Sequence, residues 1–70
     1  MYIVLEIQKN GDAMAHLVSQ HDTLQEAESK FHQVLAAAAV SSVDKHSAVL
    51  IEENGALLRT ECYEHREATD

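Results

Sequence analysis

Tyr2-Ile3-Val4-Leu5-Glu6-Ile7 followed by Asn10-Gly11 decides the fold of this chain, because the arrangement returns as Ala48-Val49-Leu50-Ile51 followed by Asn54-Gly55. Asn tolerates positive φ better than most residues and Gly adopts it without steric cost, so Asn-Gly between apolar segments marks a tight hairpin. These two pairs hold both glycines of the 70-residue sequence. The chain therefore reads as two β-hairpins.

Both quoted segments are apolar at nearly every position, as strands covered on both faces would be, which places them at the centre of a sheet. Their partners, Ala13 to Gln20 and Leu57 to Tyr63, alternate less cleanly and read as edges. Between the hairpins Thr23-Leu24-Gln25-Glu26 matches a capping box and starts a helix. Leu24, Ala27, Phe31, Val34, Leu35 and Ala38 recur at spacings of three and four, forming a stripe that can lie on a sheet. No Pro or Gly stops the helix, which is expected to fade around Ser41 to Val43. The predicted fold is α+β, ββαββ, with a four-stranded antiparallel sheet in order 2-1-3-4 and the helix across one face. A right-handed crossover is expected by analogy with βαβ units. Residues 1–64 form the single domain and 65–70 a frayed, polar tail.

Register decides which side chains share a face, because a slip of one residue inverts the whole strand. A two-residue turn at Asn10-Gly11 sets His16 opposite Leu5, whereas a three-residue loop with Gly11 in a bulge sets Ala15 there. The bulge is preferred, since it gives Ile3, Leu5, Ile7, Ala15 and Leu17 one face.

Twelve acidic residues against five basic ones give a formal charge of −7, which repels the phosphate backbone and argues against nucleic acid as a partner. Cys62 is the only cysteine, so no disulfide framework supports the fold, and a lone thiol favours a reduced cytoplasmic setting. The apolar run Val34 to Val40 is far short of the roughly 20 residues of a membrane span. A chain this short buries only about 60% of its unfolded surface, so a second copy or a partner would help it.

Chemistry-bearing motifs are few. Cys62 and His65 with Glu64 invite a metal, but a second close pair is missing and a regular strand sends Cys62 and His65 to opposite faces. Glu28 and His32, one helical turn apart, suit a surface ion pair better than a catalytic dyad, because no nucleophile stands nearby. The sequence assigns no catalytic, metal or cofactor residues, and a non-enzymatic protein is expected. Two surfaces are candidates for contact. His32, Ala36, Ala37 and Val40 form a strip on the outer side of the helix, where alanines let a partner approach closely, although alanine is also the best helix former. Tyr2, Val4, Leu50 and Tyr63 are expected to share the open sheet face, too apolar to be left to water.

Glu26-Ala27-Glu28-Ser29-Lys30-Phe31-His32-Gln33, the alanine run to Ser41, His46-Ser47-Ala48 and Glu61-Cys62-Tyr63 together carry a resemblance. Over most of its length the chain resembles a group of small uncharacterised proteins from Gram-positive gut bacteria and their phages or prophages. The resemblance implies a phage-related setting and no site residues. The leading expectation is an interaction module that self-associates as a homodimer or meets a protein partner. The alternative is a small-ligand-binding or sequestering protein that antagonises host defence, with a dimer groove lined by His32, His46 and Tyr63.

Overall fold

The computed structural model describes residues 1–65. Its elements are β1 (Tyr2–Asn10), β2 (Ala13–His21), α1 (Leu24–Ala39), β3 (Lys45–Glu52) and β4 (Leu57–Glu64). The four strands form one sheet in the order β2-β1-β3-β4, every neighbouring pair antiparallel. The ββαββ fold and strand order expected from the sequence are therefore present. Because β2 and β3 both oppose β1, they run parallel to each other, and α1 makes the crossover between them.

The two turns differ in a way that Asn-Gly alone does not foretell. Asn10 pairs with Ala13, so the first turn is Gly11-Asp12, with Gly11 at φ +64° in the first central position that a II′ turn reserves for glycine. Asn10 remains in the strand. The preferred bulge is thus absent from this turn: Leu5 faces Val18 and Ile7 faces His16, while Ala15 and Leu17 point to the opposite side from Leu5. The second turn does use a three-residue loop. Gly55, at φ +91°, donates its N–H to the Glu52 carbonyl at 2.8 Å, and Glu52 donates to the Ala56 carbonyl at 2.9 Å, closing Glu53-Asn54-Gly55.

Thr23 caps α1 as its sequence predicts, its hydroxyl oxygen accepting from the Glu26 N–H at 3.1 Å. Helix geometry ends at Ala39, before the expected Ser41, and Val40 is the C-cap. The Ala38 carbonyl, which accepts from the Ser41 N–H at 3.2 Å, also accepts from Nε2–H of His65 at 2.6 Å, and the His65 backbone N–H donates to the Asp44 carbonyl at 2.8 Å. His65, assigned by sequence to the tail, is therefore tied to the end of α1; positions 66–70 lie outside the described residues.

Helix residues Ala27, Phe31 and Val34 form the core with Val4, Ala48 and Leu50, with Tyr2 and Leu35 packed against it. Even-numbered positions of β1 and β3 thus face the helix. Ala48, fully buried opposite Glu6, leaves room in this layer. Burying Phe31 and Leu50 alone contributes about 1.5–3 kcal/mol each.

Candidate functional site

The side of the sheet away from α1 carries the odd positions of β1 and β3 with the even positions of β2. Pairing lays them out in rows across the strands. Gln20, Ile3, Ile51 and Leu57 form one row; Val18, Leu5, Val49 and Thr60 the next; His16, Ile7, Ser47 and Cys62 the third. None of these positions is Asp, Glu, Lys or Arg; charge enters beyond the three rows, with Lys9, Lys45 and Glu64 at one end and the Met1 ammonium and Glu53 at the other. With strands about 4.8 Å apart and rows about 6.8 Å apart, the three rows span roughly 400 Å² of plane. That is the size of the largest apolar patch on a typical monomer, which is often functional. Val18 and Leu57 remain exposed at 57% and 59%.

This arrangement inverts the expected second surface. Val4 and Leu50 are 1% and 0% exposed in the core, Tyr2 packs against that core, and Tyr63 stands opposite His46 on the helix side. The group Tyr2, Val4, Leu50 and Tyr63 is one face, but it is the covered one. The strip His32, Ala36, Ala37 and Val40 is exposed, Val40 at 85%. Tertiary packing leaves outside the parity that reads Ile3, Leu5, Ile7 and covers the parity that reads Tyr2, Val4, Glu6, Gln8. The more apolar face of the sheet is the uncovered one.

The covered face becomes polar towards the C-terminal end of β1. His46 is buried, and its Nε2–H donates to the Glu6 carboxylate at 2.5 Å; Gln8 Nε2 donates to the same oxygen at 3.0 Å. The other ring nitrogen of His46, Nδ1, is buried without a hydrogen-bond partner. Sequence reasoning missed this cluster, although Glu6 in an otherwise apolar strand was its signal. Beside it, α1 leaves β2 partly uncovered, and a cleft of about 250 Å³ opens between Glu6, Leu17, Ser19, Lys30 and Val34.

Among the described residues the other titratable side chains do not converge on one site. His32 stands beside Phe31 with ring centroids 5.9 Å apart, and Glu28 pairs with Arg59 of β4 at 2.9 Å rather than with His32. Cys62 lies on the uncovered face while His65 bonds Ala38, so the two do not chelate. His32, His46 and Tyr63 line no common groove, because His46 is bonded beneath the helix. Among the described residues no group of three metal-ligating side chains is present. At the other end of the sheet the Met1 ammonium donates to Glu53 and holds that carboxyl below the ordinary carboxylate range, through the hydrogen bond first and its positive charge second.

Comparison with protein-family models, with curated proteins and with solved structures finds no match to this chain.

Proposed function

We propose that this chain is a small non-enzymatic protein-interaction module that self-associates through its uncovered sheet face, in a cytoplasmic, phage-related setting. The observation that carries the reading is the inversion of the sheet: the side without a helix is the more apolar side and has three rows free of formal charge. A sheet face in water ordinarily alternates to polar residues. Two copies of a chain with net charge −7 repel at long range, but these faces contribute none of that repulsion.

Sedimentation velocity over micromolar to millimolar chain concentration tests the reading. Self-association is expected, and Val49→Glu, which places a carboxylate at the centre of the face, is expected to weaken it at least tenfold. Ala36→Glu with Val40→Glu, on the outer helix strip, leaves it unchanged. A monomer throughout the range, or indifference to Val49→Glu, refutes the reading.

A second reading, a small-ligand-binding or sequestering protein, is favoured by one observation, the cleft between β2 and α1 with the Glu6 carboxylate in its wall. It predicts a bound small molecule in native mass spectra of protein purified from its host, and a mass equal to the chain alone counts against it.

A further inference from the structure

The two edges of this sheet are built differently. β4 carries Arg59, Glu61 and Glu64, and its pairing with β3 is interrupted by a register shift at Leu50/Ile51. Charges and bulges of this kind keep an edge from accepting another strand. β2 has neither device: its sequence Ala-Met-Ala-His-Leu-Val-Ser-Gln-His contains no Asp, Glu, Lys, Arg or Pro, and its pairing with β1 is unbroken from Ala13 to His21. Seven of its nine residues are exposed.

The two-residue turn also says which backbone groups are free. Asn10 and Ala13 close the hairpin as a hydrogen-bonded pair, and bonding alternates from there along an antiparallel ladder. The odd positions of β2 bond to β1. The N–H and C=O groups of Met14, His16, Val18 and Gln20 therefore point outward along the edge.

We propose that a second copy of this chain adds to this edge, β2 antiparallel to β2, about a two-fold axis at Leu17. The inference rests on the self-association proposed above and adds a contact made by different atoms. Leu17 is the centre of the strand, so this register sets His16 against Val18 and Met14 against Gln20 of the other copy. All outward groups are then used, in roughly eight interchain hydrogen bonds. Leu17, 62% exposed on the helix side, meets its own equivalent across the axis, removing apolar surface from water in both copies. A second copy fits this edge because β2 carries no Asp, Glu, Lys or Arg along its whole length, so two copies of an acidic chain meet here without like charges opposed. Since β4 is guarded, edge pairing stops at two chains rather than running on as a filament. The product is one eight-stranded sheet with the apolar face doubled in width. Closure of two such sheets through the face contact gives a tetramer.

Val49→Glu isolates the edge contact, because it disables the face and leaves β2 untouched. Its sedimentation mass is expected to be that of a dimer, with exchange of the Met14, His16, Val18 and Gln20 amides slowed about tenfold or more on association. Leu17→Lys in that background sets two like charges on the axis and is expected to give a folded monomer by circular dichroism, with those amides exchanging freely. If Val49→Glu is monomeric while the wild type associates, the edge inference is overturned and the face reading stands. Should Val49→Glu keep the wild-type mass with protected edge amides, the face reading fails and the edge inference stands. A monomeric wild type overturns both.

Discussion

Glu6→Ala should destabilise this protein more than its small size suggests, and His46→Leu should rescue much of the loss. In the wild type the Glu6 carboxylate, with side-chain exposure 15%, accepts from both His46 Nε2–H and Gln8 Nε2. Removing it leaves the Nε2–H of His46 without an acceptor in a side chain 5% exposed, beside an Nδ1 that already lacks a partner. Stranding a buried donor costs about 1–3 kcal/mol, and the lost bond was to a charged group, so about 2–3 kcal/mol is expected for Glu6→Ala. His46→Leu alone is milder, about 1 kcal/mol, because it removes the orphan Nδ1 while Glu6 keeps its bond to Gln8 and some contact with water. The double variant replaces both partners by apolar groups, which is often close to neutral for a buried pair. Its loss should fall below that of Glu6→Ala, with a coupling energy of about 2 kcal/mol between the sites. Urea denaturation at one fixed chain concentration measures all four proteins. With a slope of about 1 kcal/mol/M, Glu6→Ala moves the midpoint down by about 2–3 M. Losses that simply add in the double variant would refute the argument, since the orphaned imidazole would then not be the source of the cost.

Phe31→Ala opens a cavity under the centre of α1 beside Val4, Ala48 and Leu50, and should cost about 3–5 kcal/mol, read as partial or complete loss of the cooperative thermal transition. Gly11→Ala meets no atom within 4 Å of the added Cβ, so its cost is conformational alone, about 1 kcal/mol in urea denaturation. Glu53 has a depressed folded-state pKa, so its clasp on Met1 is present above the unfolded carboxylate value and is lost as pH falls through the folded one. A carboxyl-carbon titration by NMR should place the Glu53 midpoint below the ordinary glutamate range, and Glu53→Gln should remove that signal without changing the fold.

The core shows why some positions were legible in sequence and others were not. Thr23 and Glu26 announce the helix start because capping is a local event. The helix stripe Ala27, Phe31, Val34 and Ala38 is legible because α1 has a polar side along most of its length, which gives its period a contrast. Central strands lack that contrast. In Tyr2-Ile3-Val4-Leu5 both parities are apolar, and the sequence offers no local reason for Val4 rather than Leu5 to face Phe31. Glu6 and His46 are not legible for a related reason: their hydrogen bond joins β1 to β3, from positions forty residues apart in the chain.

By itself the sequence determined two hairpins, one capped helix and the order of four strands, since turn chemistry, periodicity and unequal strand hydrophobicity are local properties of the chain. Only the tertiary structure decided where each pleat points. The first turn is a two-residue Gly11-Asp12 turn rather than a three-residue loop with Gly11 in a bulge, and the crossover lays α1 on the even positions of β1. Each of these is a one-residue matter of phase. Side chains alternate with period two, so that phase sets which face Phe31 covers and sends Ile3, Leu5, Ile7 and His16 to the open side.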